Sequence, residues 1–189
     1  MKLSKKTVTV AFALGIIAIV FTTGSCSKSS SGTPAPTSTL YDSLGGTTMV
    51  ADPANSGAMI EQGRLGIRSV LDSTIFVIAG DPKINGFFKV LLAEVTAGNT
   101  SGYTALSNNL TDFVCVATGA KDFTYGGKSM VDAHNPATNS RMNGKASATD
   151  FNNFVADLVI GAQKNGLSSQ LIGQVGALVE TLESQVVQM

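Results

Sequence analysis

One histidine and two cysteines in 189 residues remove several kinds of chemistry at the outset. A single imidazole excludes metal sites built from several histidines. Cys115 sits in the apolar run Phe113-Val114-Cys115-Val116, where a lone cysteine serves as a small core side chain. With Cys26 spent elsewhere, as its surroundings suggest, no disulfide framework remains. Charge is equally sparse, at 13 basic and 13 acidic residues. Lys2, Lys5 and Lys6 are three of the basic ones, so a chain without them carries 10 against 13, a net of −3. No basic cluster is left that would imply nucleic acid as a partner.

What is present begins with the N-terminus. Lys2, Lys5 and Lys6 precede an apolar run from Thr7 to Thr22, which ends at Thr23-Gly24-Ser25-Cys26. A basic start, a run short for a membrane span and small residues before a cysteine have the layout of an export signal, residues 1–25. The tetrad resembles a bacterial lipobox, with Thr23 where an aliphatic residue is more usual. That resemblance implies a diacylated Cys26, and two acyl chains at about 0.8 kcal/mol per buried methylene suffice for stable anchoring. A plain secretory signal or an uncleaved anchor shares part of this layout. The segment 26–39, rich in Ser, Thr, Pro and Gly, has nothing large to bury and reads as a flexible tether. The reading is therefore an exported chain held at the cell envelope, with Ser27 compatible with sorting to an outer membrane, and a single folded domain over residues 40–189.

That domain reads as all-α. Ile67, Leu71, Thr74, Ile75 and Ile78 recur at the spacing of one helix face, as do Leu106, Leu110, Phe113, Val114 and Ala117. Phe151, Phe154, Val155, Leu158, Val159 and Ala162 make a third stripe. Leu171, Ile172, Val175, Leu178, Val179, Leu182 and Val186 make a fourth. Each fits a period near 3.6 and not strand alternation. Asp81-Pro82 and Gly119 break the chain after the first two stripes. Ser147 or Thr149 can cap the third, Asn165-Gly166 ends it and Ser168 can start the fourth. Four such stripes must bury against one another. Between them lie Tyr41 to Glu61, with two glycine-rich turns, and Tyr125 to Lys145, too rich in Gly, Asn and Pro for a long helix, which carries the only histidine.

Four segments, in order, resemble the truncated haemoglobins, most nearly their first group. They are Leu40-Tyr41-Asp42-Ser43-Leu44-Gly45-Gly46, then Asp81-Pro82-Lys83-Ile84-Asn85-Gly86-Phe87-Phe88, then Tyr125-Gly126-Gly127-Lys128-Ser129-Met130-Val131-Asp132-Ala133-His134, and the last two stripes joined by Asn165-Gly166-Leu167. The resemblance runs from about Leu40 to Val187. It implies a two-over-two helical sandwich with a haem b, His134 as the proximal iron ligand and Met130 packed beside it. Phe88 would stack on the porphyrin, and Phe113, Val114, Leu106, Leu110 and Ile75 would line the pocket, with Phe154 and Leu158 available as further apolar cover. A neutral imidazole suits haem iron, and one axial side chain can hold the cofactor.

The chain departs from the family on the side where a gas would bind. Positions that carry polar groups in many relatives fall here on Ile75, Leu106 and Leu110, with Phe76 adjacent. Dioxygen on haem gains from hydrogen-bond donors, so this lining favours carbon monoxide or nitric oxide and disfavours nitric-oxide dioxygenation. A shift of one turn would bring Asn108, Asn109 or Tyr103 inward instead. Insertions lie between Thr47 and Glu61, between Lys89 and Gly102, where Val90–Val95 can form an extra helix, and between Asn135 and Lys145. Lys128, Arg141 and Lys145 are candidates to meet a haem propionate. The implied function is a membrane-tethered haem protein that binds or senses a diatomic gas. A haem-free interaction scaffold and surface haem capture or relay are the alternatives.

Overall fold

The computed structural model describes residues 37–189; the signal segment, most of the tether and Cys26 lie outside the described residues. In chain order the elements are α1 (Leu40–Ser43), β1 (Met49–Ala51), β2 (Met59–Glu61), α2 (Gln62–Gly80), a 3-10 turn (Asn85–Phe88), α3 (Lys89–Thr96), α4 (Ser101–Ala117), α5 (Met130–His134), α6 (Ala148–Lys164), α7 (Ser169–Glu180) and α8 (Glu183–Val186). The four apolar stripes fall on α2, α4, α6 and α7 with α8. Helix α2 packs against both α4 and α6, and α6 packs against α7. The two pairs form the two-over-two sandwich.

The hub is α2, because two of its adjoining faces are apolar. Ile67 and Leu71 join Tyr41 and Cys115 in one core cluster, with Cys115 wholly enclosed, while Val70 joins Leu158, Ala162 and Val175 in another. Each such aliphatic side chain contributes roughly 1.5–3 kcal/mol by leaving water. The crossing of α2 and α6 is close because Gly161 faces Thr74, which is itself buried and donates its hydroxyl to the Val70 carbonyl at 2.8 Å. A methyl on Gly161 would stand 2.9 Å from the Thr74 backbone nitrogen and 3.0 Å from its Cα. Asn165 locks the same crossing, donating its amide to the Ser69 carbonyl and to the Ser73 hydroxyl at 3.1 and 2.8 Å.

Helix boundaries follow side-chain capping. Ser147 caps α6 in a reciprocal box with Asp150, and Ser168 caps α7 through the Leu171 amide. Asp81 stands just past the end of α2. The extra helix in the second insertion is present as α3. Two features differ from the sequence reading. The first insertion forms a hairpin, with Val50 paired to Ile60 and Met49 to Glu61; strands of three residues are too short to display an alternating period. The fourth stripe is not one helix but α7 and α8, since Thr181 turns back on Leu178 through both its amide and its hydroxyl. The glycines of the opening motif serve a turn. Gly45 and Gly46 have φ of +128° and +61°, and a Cβ on Gly45 would lie 2.9 Å from the Gly63 nitrogen.

Asp157, on α6, is 4% exposed, and its Oδ2 has no hydrogen-bond partner among the described residues. Burial first and the charge of Asp81 second hold its carboxyl above the ordinary range, with Lys83 opposing them. A carboxyl raised on folding contributes its full stability below its unfolded value and loses it as pH rises through the raised folded value. Asp157→Asn should therefore raise the unfolding midpoint at pH 7 by about 2–4 °C, the shift that about 1 kcal/mol gives a chain of this size. The gain should vanish toward about pH 4, which thermal melts across pH would show. Gly161→Ala should cost about 1–3 kcal/mol in denaturant unfolding by overpacking the α2–α6 crossing.

Candidate functional site

The histidine ends a helix of five residues, and this shortness shapes everything around it. A helix leaves its last four carbonyls without partners of its own, so in α5 nearly every carbonyl depends on a donor from elsewhere. Ser129 caps the start, accepting from the Asp132 amide at 3.1 Å and donating to the Asp132 carboxylate at 2.7 Å. Thr138 donates to the Asp132 carbonyl at 2.8 Å, and the Asn139 amide donates to the Ala133 carbonyl at 2.6 Å. Asn135, the residue after the helix, makes the turn that brings those donors back, its side chain accepting from the Ala137 amide at 2.9 Å.

His134 is half-buried, and its Nδ1 lies 2.8 Å from the Met130 carbonyl. A carbonyl only accepts, so Nδ1 carries a proton, and the neutral form of the ring then has its lone pair on Nε2. The bond fixes the tautomer and the ring orientation together, as a metal-binding imidazole requires. Met130 is half-buried at the other end of the same helical turn.

Helix α4 carries most of the remaining candidates, and its burial is inverted. The side chains it buries are Ser107, Thr111 and Cys115, with Gly102. Its larger apolar residues Leu106, Leu110, Phe113 and Val114 are only half-buried. Leu110 and Val114 lean on the cluster of Tyr41, Ile67, Leu71 and Cys115, leaving the rest of their surface uncovered by protein. Phe113 meets Tyr125 edge-on at 5.3 Å, and the Tyr125 hydroxyl donates to the Lys128 carbonyl at 2.6 Å. This links α4 to the segment entering α5. Ile75 is buried in α2, and Phe88, the last residue of the 3-10 turn, is half-buried. Phe154 is half-buried on α6 beside the buried Phe151, while Leu158 belongs to the α2–α6 core.

The polar residues near this stripe are already engaged. Tyr103 meets Phe76 in a tilted ring contact at 5.7 Å; burial first, then the nearby Asp72 charge, pushes its hydroxyl up to about 12. Ser107 donates to the same carboxylate at 2.5 Å. Tyr103 is thus held in the α2–α4 seam, and Asn108 and Asn109 are exposed. Among the cations, Arg141 pairs with Glu94 of α3 at 2.6 Å and Lys128 donates to the Thr138 carbonyl at 3.0 Å. Lys145 is exposed. The loop after His134 is also tied to the 3-10 turn, Asn143 donating to the Phe87 carbonyl from both its amides at 3.2 Å. A separate solvent-open groove lined by Met49, Met59, Arg64, Arg68 and Phe123 includes no residue of α5. Its arginines are paired with Asp112 and Asp52, at 2.5 and 2.6 Å.

Thr138 and Asn139, which hold α5, carry no motif in the sequence, whereas Ser129-x-x-Asp132 is a readable cap. No family model matches the sequence, and no curated protein does. Solved structures do match. A variant of the truncated haemoglobin of Tetrahymena pyriformis in its Fe(III) form superposes with a TM-score of 0.57 at 16% identity, covering 80% of this chain and all of that one. A second variant of the same protein gives the same figures. The 2/2 haemoglobin of Synechococcus sp. PCC 7002, in the cyanomet state with covalently attached haem, superposes with a TM-score of 0.55 at 20% identity, covering 79% of this chain and 98% of that one. The fold is that of the truncated, two-over-two haemoglobins.

Proposed function

We propose that this chain is a haem-binding globin-like protein, exported and tethered to the cell envelope through a lipidated Cys26, that binds or senses a small diatomic gas. The observation that carries the reading is His134: a half-buried imidazole with Nδ1 committed to the Met130 carbonyl, which leaves Nε2 as the ligand nitrogen. The chain's single histidine stands in a two-over-two fold whose solved neighbours are iron-containing haemoglobins.

The residues present fit the group. Leu106, Leu110, Phe113 and Val114 keep apolar surface uncovered beside buried Ser107 and Thr111, the opposite of what a helix packed only on protein would do. A flat apolar ring would cover that surface. His134 would hold the iron, with Met130 beside it, while Phe88, Phe113, Leu106, Leu110, Val114 and Ile75 would exclude water from the faces. When bound, haem supplies an iron site for neutral diatomic ligands. The chain's own contribution on the gas side is an apolar wall, with Tyr103 seated against Phe76 in the α2–α4 seam. Carbon monoxide and nitric oxide suit such a wall better than dioxygen, and no oxygen-consuming reaction is assigned.

A haem-free scaffold is the second reading. It is favoured by one observation: Arg141 is bound to Glu94 and Lys128 to the Thr138 carbonyl, which leaves Lys145 as the free candidate for a propionate.

An absorbance titration of the full-length chain in mild detergent with hemin separates the two. A haem protein should give a saturable one-to-one Soret band that His134→Ala abolishes. The scaffold would give no saturable band and no difference between the two proteins. In a haem-loaded chain, Leu110→Gln should add a donor to the apolar wall and slow oxygen release about tenfold in stopped-flow, the effect of one net hydrogen bond of about 1–1.5 kcal/mol. An unchanged release rate would remove Leu110 from the gas side.

A further inference from the structure

Three of the four carbonyls of α5 from Met130 to Ala133 are accounted for by near neighbours: His134, Thr138 and Asn139 all lie within six residues of the group they bond. The fourth is not. The Val131 carbonyl accepts the side-chain amide of Gln188 at 3.1 Å, across 57 positions of sequence. We propose that Gln188 is a positioning residue for the iron ligand, fixing the setting of α5 and hence the direction in which His134 presents Nε2. This rests on the haem reading above.

Gln188 is well placed for the task because its own backbone is held. Its amide donates to the Ala146 carbonyl at 2.9 Å, Val187 forms a parallel bridge with Ala146, and the Val187 amide donates back to Glu183 at 2.8 Å. Ala146 is buried and directly precedes Ser147, the cap of α6. The side chain of Gln188 therefore reaches α5 from the root of the longest C-terminal helix, with α8 packed on α5 beside it. The local donors travel with the loop that follows His134, which reaches the sandwich through Asn143 on the Phe87 carbonyl and Arg141 on Glu94. Gln188 is the tie that bonds α5 itself from a distant part of the chain. Its donor is a neutral amide, so the tie does not depend on charge. Glutamate has the same length and shape but, ionised, has nothing to donate to a carbonyl.

The test uses the full-length chain with Gln188→Glu, Gln188→Ala and Gln188→Lys, the last of which restores a donor. Amide hydrogen exchange on the unloaded chain comes first. Glu and Ala should lose protection over Met130–Asn135 alone, with α2 and α6 unchanged, and Lys should recover it. In the hemin-loaded ferrous chain the iron–histidine stretching band in resonance Raman should shift and broaden in the Glu and Ala variants and return in Lys. Hemin loss to apomyoglobin should rise about tenfold in the same two, as for other groups that orient metal ligands. An unmoved band with unchanged hemin loss, in a wild-type chain that does bind hemin through His134, would overturn the role of Gln188 and leave the haem reading standing. Loss of protection spread over α2 and α6 would overturn it as general destabilisation. A wild-type chain that takes up no hemin would overturn both.

Discussion

The near contact of α2 with α6 at Thr74 and Gly161 is the constraint on which the rest of the domain hangs. Only glycine lets two backbones come so close, and that approach decides where every other element can lie. With α6 fixed across one face of α2, the neighbouring face is left for α4 and for the ring of Tyr41. The buried side chains of α4 are accordingly small, Ser107, Thr111 and Cys115, because α4 too lies close on α2. Its leucines are pushed to the flank. An apolar flank left partly bare is therefore a result of tight packing elsewhere, and it is also what a flat hydrophobic cofactor would need.

The histidine-bearing helix solves a different problem. Five residues cannot stabilise themselves as a helix in water, since nucleation is costly and one turn repays little of it. Such a helix persists through what surrounds it, here a serine cap, three side-chain donors from the chain that follows or returns, and the ring of His134 itself. The arrangement suits a side chain that must be aimed, since a bare loop would let the imidazole wander.

The sequence shows the sandwich more readily than the site. The stripes of α2, α4, α6 and α7 are legible because each has the period of a helix, and their ends are legible because Ser147, Ser168 and Asp81 act through local geometry. The hairpin at Met49–Glu61 is not, since three residues hold no period. On α4 the same periodicity names Leu106, Leu110, Phe113 and Val114 as the inward face, and the structure gives that place to the residues between them; a hydrophobic pattern reports what is apolar and not which apolar face meets protein. His134 stands out by being the one histidine and by the run Ser129 to His134. The donors that steady it do not, because Asn139 and Gln188 bond backbone carbonyls, and a carbonyl has no identity in a sequence. The break between α7 and α8 is equally invisible, for Thr181 carries on a helical pattern until its hydroxyl turns back to Leu178.

The bridge between Ala146 and Val187 closes the last third of the domain into a loop of about 40 residues, a closure whose entropic cost grows only slowly with the length enclosed. The Ala146–Val187 bridge is the clasp of that loop, and α5 lies against α8 just before it. A short helix that by itself would open and close independently of its surroundings is thus enrolled in the same cooperative unit as α6 and α7. Its opening becomes a rare event of the whole sandwich instead of a frequent local one.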